Sequence, residues 1–69
     1  MMKFEYDKDA DAAYIYLEDS IEDGEVKKTI ELNDNIILDF DKNGKLIGIE
    51  ILDASIILNK KAILEARSG

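Results

Sequence analysis

Any chemistry in this chain must rest mainly on carboxylates, because the sequence contains no cysteine and no histidine. Asp7, Asp9 and Asp11 have the spacing that opens an EF-hand calcium loop, and Glu18 would take its twelfth position. The pattern then departs from that loop, because Ala12 stands where the EF-hand needs a glycine. We therefore expect a hairpin turn in which Asp7 or Asp11 accepts backbone N–H groups, and no metal site.

Asp39 and Glu50 form a second carboxylate pair, on two predicted strands that flank the turn signal Asn43-Gly44. A two-residue turn sets Asp39 opposite Gly48, so that Glu50 becomes its diagonal neighbour on the same face. Paired carboxylates can hold Mg²⁺, or act as acid and base when their pKa values separate. That separation needs burial, whereas this face of an antiparallel hairpin is expected to be solvated. We therefore expect no catalytic residue and no cofactor; a divalent-metal-dependent enzyme using both carboxylates is the alternative.

Tyr14 and Tyr16 alternate along another predicted strand, and their orientation depends on the turn before it. A four-residue loop places both rings on the outer face of the sheet. A five-residue loop pairs Phe4 with Tyr14 and turns both rings into the core. We expect the four-residue loop, because it separates apolar from polar residues better. Tyr14, Tyr16, Asp39 and Glu50 then form a predicted partner-binding surface on the outer face.

The composition predicts a single small domain, residues 1–69. The lack of histidine and cysteine excludes Ser-His-Asp and Cys-His nucleophiles and argues against a zinc site. A net charge of −7 opposes binding to nucleic acid and favours a basic protein or a cation. No apolar run approaches the ~20 residues of a membrane span, and the first residues resemble a strand more than a signal peptide. We expect a cytoplasmic protein with no membrane contact.

The hydrophobic pattern predicts an α+β fold, in which a five-stranded antiparallel meander carries a C-terminal helix on one face. The four-residue loop pairs Phe4 with Ile15, and a three-residue turn at 33–35 pairs Ile30 with Leu38. In the last hairpin, the two-residue turn places Ile36, Leu38 and Phe40 opposite Ile51, Ile49 and Ile47. The predicted strands are residues 3–6, 13–17 and 25–32 and the two arms of the hairpin within 36–52.

After the last strand the sequence favours helix. Asp53 is expected to cap one helical turn at residues 54–58. Asn59 suits the N-cap of a second helical segment, residues 60–67, which is rich in helix formers. Ile63 is expected to be its main apolar contact with the sheet, since only this segment is available to cover a sheet face.

The segments FEYDKDADAAYIYL and IILDFDKNGKLIGIEILDAS carry a resemblance to a family of small prokaryotic proteins. The chain resembles domain of unknown function 2283, also called YuzE-like, over residues 3–55. The loop at residues 18–24 is longer than is usual there, and Ala13 stands where leucine or valine is usual. The resemblance implies a small sheet with a helix and brings no activity. The residues that carry it are Tyr6, Asp7, Asp11, Ala12, Asp39, Phe40, Asp41, Gly48, Glu50, Ile51 and Leu52.

Three functions follow as hypotheses. The leading one is a non-catalytic, antitoxin-like binding module that docks a basic toxin, because the chain is acidic, carries two outer-face tyrosines and lacks nucleophile–base systems. The family adds an association, since some members are thought to be encoded beside small proteins regarded as toxins. The alternatives are the carboxylate-based enzyme and a structural homodimer with the outer faces packed together and no ligand.

Overall fold

The computed structural model describes residues 2–68, with side chains for residues 2–66. These residues form one six-stranded sheet and two short helices. The elements in chain order are β1 Lys3–Asp7, β2 Ala12–Tyr16, β3 Lys28–Glu31, β4 Ile36–Phe40, β5 Leu46–Leu52, α1 Ala54–Ile57, α2 Lys60–Glu65 and β6 Arg67–Ser68.

The strand order is β3-β4-β5-β2-β1-β6; each of the first five strands runs antiparallel to its neighbour in this order, and β6 is parallel to β1. The α+β class and the five-stranded antiparallel sheet are confirmed. The order departs from a simple meander, because β2 lies beside β5 and the chain crosses to the far edge before β3. This arrangement gives the longest strand, β5, two neighbours. It leaves β3, whose four residues are all exposed, at the edge.

The strand registers follow the sequence predictions closely. Phe4 lies opposite Ile15, which confirms the four-residue first loop, and Ile30 lies opposite Leu38. Leu38 in turn faces Ile49 as expected. One apolar row therefore crosses the sheet from β1 to β3, because residues in register share a face.

The β4–β5 turn differs from the prediction of a two-residue loop. Asp41 N–H donates to the Lys45 carbonyl at 2.9 Å, which leaves three residues in the loop, and Gly44 takes a φ of 78°. A bulge in β5 follows, so that Phe40 faces Leu46 and not Ile47. The extra bulged residue compensates for the longer loop, because it restores the predicted pairing of Leu38 with Ile49.

The core lies between the helices and the β1-β2-β5 part of the sheet. Ala13, Ile51 and Ala54 are buried there, and the half-buried Ile63 and Ile49 pack against them. Ile63 thus makes the predicted helix contact. The remaining partly buried residues around this cluster are Phe4, Tyr6, Ile15 and Leu58.

Of the two helix N-caps predicted from the sequence, only that of α2 is confirmed. The Asn59 side chain accepts the Ala62 N–H at 2.9 Å, as predicted for the N-cap of α2. Asp53 occupies the cap position of α1, but its side chain makes no capping hydrogen bond. Helix α2 ends at Glu65, short of the predicted residue 67, because the chain then pairs with β1 as β6. Within the described residues, neither helix has the length and apolar character needed to cross a membrane.

Candidate functional site on the outer face

The outer face is the sheet surface opposite the helices, and strand register arranges it in rows. One row runs across all five antiparallel strands through the central Gly48. In a second row, Glu50 lies between Tyr14 on one neighbouring strand and Ile37 on the other. The first row consists of Lys3, Tyr16, Gly48, Asp39 and Thr29.

Tyr14 and Asp39 form the centre of this surface. The Tyr14 hydroxyl donates to Asp39 Oδ2 at 2.6 Å, and the Thr29 hydroxyl donates to Asp39 Oδ1 at 2.9 Å. One carboxylate therefore links side chains from β2, β4 and β3, across the intervening β5. Short hydrogen bonds to a charged acceptor are among the stronger side-chain contacts, so they hold the Tyr14 ring in one position.

Gly48 makes this contact possible by its lack of a side chain. A Cβ at this position would overlap the Tyr14 hydroxyl and lie 2.6 Å from the Tyr14 ring atom Cζ. A glycine on a sheet face leaves a dip in the surface, and here the Tyr14 ring fills that dip on its way to Asp39. The glycine therefore serves side-chain packing.

Tyr16 extends the cluster toward β1. Its ring meets that of Tyr14 edge to face, with the centroids 4.7 Å apart and an interplanar angle of 67°. Lys3 Nζ lies 4.5 Å from the centroid of the Tyr16 ring and 3.7 Å from a carboxylate oxygen of Glu5. A hydrogen bond with Glu5 raises the pKa of the Tyr16 hydroxyl, with a smaller contribution from burial. Tyr16 is therefore held on two sides while its ring stays half-exposed.

The environment of Tyr14 keeps its hydroxyl protonated. Burial raises its pKa far above the ordinary range, and the hydrogen bond to Asp39 and the nearby negative charges add to the shift. A proton that leaves only at very high pH suits a fixed hydrogen-bond donor. The group thus acts as a structural donor at neutral pH.

A shallow depression of about 260 Å³ opens beside Tyr14. Glu50 lies opposite Tyr14 in the sheet and lines this depression together with two more carboxylates. The concentration of negative charge here gives an opening suited to a lysine or arginine side chain. Its lining residues are Glu5, Asp7, Ala12, Ala13, Tyr14 and Glu50.

The four predicted site residues therefore share one face, where Tyr14, Tyr16 and Asp39 form one connected cluster and Glu50 borders it. Both oxygens of the Asp39 carboxylate accept hydrogen bonds, one from Tyr14 and one from Thr29. The sequence reasoning missed Thr29 as a partner of Asp39. The predicted pairing of Ile30 with Leu38 already implied this contact, since it places the Thr29 hydroxyl directly opposite the Asp39 carboxylate.

The Asp7–Asp11 turn is a hairpin turn, as predicted. Asp7 Oδ1 accepts the Asp9 N–H at 3.0 Å. Asp11 reaches further, because it accepts the Tyr6 hydroxyl at 2.8 Å and both the backbone N–H and the hydroxyl of Ser55. Asp11 thereby supplies the cap of α1 that the sequence assigned to Asp53. Hydrogen bonds from Ser55, followed by that from Tyr6, lower the pKa of Asp11.

A second cavity, of about 460 Å³, lies beside the acidic loop, residues 18–25, and the β4–β5 turn. It includes Glu22, Glu25 and Asp41, but Asp41 Oδ1 already accepts the backbone N–H groups of Asn43 and Lys45. Within the described residues, no three acidic side chains are grouped so that they could hold a metal ion. This cavity is an acidic surface feature between two loops.

Comparison with known proteins places the chain in a family. A family model described as "Protein of unknown function (DUF2283)" matches residues 3–55. A protein of Methanocaldococcus jannaschii described as uncharacterized is 43% identical over 58 residues, which are 84% of this chain and 46% of that protein. The chain thus spans about half the length of this relative. No solved structure matches the chain significantly. The protein belongs to the family described as Protein of unknown function (DUF2283).

Proposed function

We propose that this protein is a non-catalytic binding module whose outer face docks a basic protein. The observation that carries the proposal is the fixed pair Tyr14 and Tyr16 beside a depression lined by carboxylates. Aromatic anchors next to a charged opening form the kind of surface on which binding energy concentrates.

Rigidity supports this assignment. Tyr14 is held by Asp39 and by its packing over Gly48, and Tyr16 is held by Tyr14 and Lys3. A side chain already fixed before binding loses little conformational entropy in the complex. The two rings therefore offer a preorganised apolar contact on a sheet, which is a stiffer support than a loop.

Charge supports a basic partner. The chain carries a net charge of −7, and the depression concentrates Glu5, Asp7 and Glu50 beside Tyr14. Such a field speeds the approach of a positive protein and disfavours nucleic acid. An arginine or lysine of the partner would enter the depression while its aliphatic stem packs on the tyrosines.

The hydrogen bonds that occupy Asp39 and Tyr14 favour binding over chemistry. Both oxygens of Asp39 are hydrogen-bonded and Tyr14 stays protonated, so a cation at Asp39 would have to displace two contacts. Among basic partners we propose a toxin, ribonuclease-like in class, which makes the protein antitoxin-like. This step rests on the family's association with neighbouring genes for small proteins regarded as toxins.

The test is co-expression with the basic product of a neighbouring gene, read as growth rescue and as affinity of the purified pair. The variant Glu5→Gln/Glu50→Gln removes two charges beside the tyrosines. Its matched control, Glu22→Gln/Asp23→Asn, removes two charges from the acidic loop. We expect the first to raise the dissociation constant about tenfold or more and the second to change mainly the association rate.

Equal losses from both double variants would show that only overall charge matters, and no binding by the wild type would contradict the docking proposal. Calorimetric titration with Mg²⁺, Mn²⁺ and Ca²⁺ tests the rival enzyme. Saturable binding at millimolar metal that disappears in Asp39→Asn, but persists in Asp9→Asn, would favour the metal-dependent alternative.

A further inference from the structure

The depression beside Tyr14 has a floor formed by Ala12. Ala12 shares the outer face with Tyr14, since the two lie two residues apart on β2. It lies opposite Asp7 on β1 and opposite Leu52 on β5. Its methyl group is shorter than these neighbouring side chains, so the surface is lowest above it. A volume of about 260 Å³ is below the ~300–1,000 Å³ typical of small-molecule sites, which suits the depression to one side chain of a partner.

The three carboxylates that line the depression differ in how far the chain already uses them. Asp7 accepts two backbone N–H groups of its own turn through one oxygen. Glu5 lies 3.7 Å from the ammonium group of Lys3. Glu50 is half-buried, and among the described residues it has no hydrogen-bond partner and no ion pair. Both Glu50 oxygens are therefore available to a cation from outside the chain.

Glu50 stands among apolar side chains. Tyr14 and Ile37 flank it across the sheet, and Leu52 follows it on the same face of β5. All three of these neighbours are half-buried. The acidic side chains that the structure describes form no group of three able to hold a metal ion. One available carboxylate between an aromatic ring and aliphatic walls suits a cation that carries apolar surface of its own.

We propose that this depression binds a single arginine side chain of the basic partner, with the guanidinium group on Glu50 and above the methyl group of Ala12. A guanidinium presents a planar fork of N–H donors that matches both oxygens of a carboxylate, and its flat face stacks on an aromatic ring such as that of Tyr14. It is more weakly hydrated than the ammonium group of lysine, so it enters a site with apolar walls at a smaller cost. The arginine pocket rests on the proposed docking function, because the arginine belongs to the docked protein.

Lys3 shows within the chain how a cation binds this face. Its ammonium group lies 4.5 Å from the centroid of the Tyr16 ring and beside the carboxylate of Glu5. The next row of the sheet offers the same combination, a tyrosine ring and a carboxylate, in Tyr14 and Glu50. No cation of the described residues occupies that second position. An arginine from the partner would repeat there the arrangement that Lys3 makes at Tyr16.

The test is titration of the whole chain with acetyl-arginine methylamide, followed through the backbone amide signals in NMR. We expect saturable shifts centred on Ala12 and Glu50, with a dissociation constant of about 1–10 mM, as befits one charged side chain. The lysine compound of the same design should bind about threefold more weakly or worse, because it lacks the planar fork. The citrulline compound keeps the shape and lacks the charge, and it should bind at least about tenfold more weakly.

Variants locate the contact. Glu50→Gln keeps the size of the side chain and removes its charge, so it should weaken binding of the arginine compound at least about fivefold. Its matched control is Glu31→Gln, because Glu31 lies beyond Ile37 in the same row and outside the depression. That control should stay within about twofold of the wild type. Ala12→Leu fills the floor of the depression and should abolish the shifts. Circular dichroism verifies that every variant folds.

The arginine pocket and the docking function fail in different ways. No shifts up to about 50 mM of the arginine compound, or equal affinities of wild type and Glu50→Gln, would overturn the pocket. Equal binding of the lysine compound would overturn the choice of arginine. If the basic product of the neighbouring gene binds wild type and Ala12→Leu equally, the pocket is wrong and docking stands. Arginine binding as expected, without binding of that product, would support the pocket and contradict that partner.

Discussion

The covered half of the sheet, β1, β2 and β5, and the open half, β3 and β4, share one apolar row but not one environment. In this row Ile49 packs against the core under the helices, while Ile30 at the far end is 38% exposed. Both residues are isoleucines on the same face of the sheet. Two helices of four and six residues are too short to cover five strands.

The alternation of apolar and polar residues along a strand therefore determines which face a side chain lies on. Whether the helices cover that part of the face determines how much the side chain contributes to stability. Burial of apolar area drives folding, so the same residue type stabilises the covered half more than the open half. The open half must then depend more on its hydrogen bonds, above all those of Asp39 to Tyr14 and Thr29.

The largest effect is expected from Ile51→Ala, because Ile51 is 5% exposed and packs between Ala13 and Ala54. Truncation of a buried isoleucine costs about 2–5 kcal/mol, which is most of the stability of a domain this small. The half-buried Ile49→Ala should cost about 2 kcal/mol. Ile30→Ala, the matched change in the open half, should cost under about 1 kcal/mol. Urea unfolding measures all three, and equal losses would show that the open half is covered in solution.

Much of the strand pairing was predictable from local sequence rules. Alternation fixed the register of Phe4 with Ile15 and of Leu38 with Ile49, because a slip by one residue would invert the faces. Asn59 was recognisable as an N-cap for the same local reason. These predictions concern residues close in sequence or joined by a short turn.

Strand order and the site contacts depend on longer-range geometry. No local sequence pattern predicts that β2 lies beside β5, because the connection between β2 and β3 is long enough to reach either edge of the sheet. The link from Asp11 to Ser55 spans 44 positions and forms only after the whole sheet is assembled. Tyr14, Asp39 and Gly48 were recognised as sharing a face, yet their contact requires three strands in the right order.

Gly48→Ala should give the next largest effect, because it breaks the outer-face link between the two halves. The new Cβ displaces the Tyr14 hydroxyl from Asp39, and overpacking of this kind costs about 1–3 kcal/mol. Amide hydrogen exchange should rise most in β3 and β4, which depend on that link.

The control is the same substitution in a Tyr14→Ala background, where nothing remains for the Cβ to displace. Gly48→Ala should then cost under about 0.5 kcal/mol, so the two changes are strongly coupled in a double-mutant cycle. Additive losses would mean that the glycine is needed for the backbone and not for the tyrosine.

Tyr14→Phe perturbs the same contact less, since it keeps the ring and removes only the hydroxyl that bonds to Asp39. Loss of the hydrogen bond to Asp39 should cost about 1–2 kcal/mol. Because folding raises the pKa of Tyr14, its contribution is fully present below the ordinary tyrosine pKa of ~10 and is lost as pH rises beyond that value. The alkaline loss of stability should therefore be shallower in Tyr14→Phe. An identical alkaline slope in both proteins would contradict the role given to this hydroxyl.

Asp11→Asn should give the smallest effect, because its contacts lie at the exposed end of the covered half, where water screens the charge. Ser55 and Tyr6 lower the pKa of Asp11 in the folded protein, so its contribution is present above the unfolded carboxyl pKa and is lost as pH falls through the folded one. Between neutral pH and about pH 3 the urea midpoint should fall less in Asp11→Asn than in Asp9→Asn, a matched loss of charge from an exposed residue of the same turn. If both variants keep the acid slope of the wild type, the carboxylate that joins β1 to α1 is dispensable, and packing alone holds the helices over the covered half.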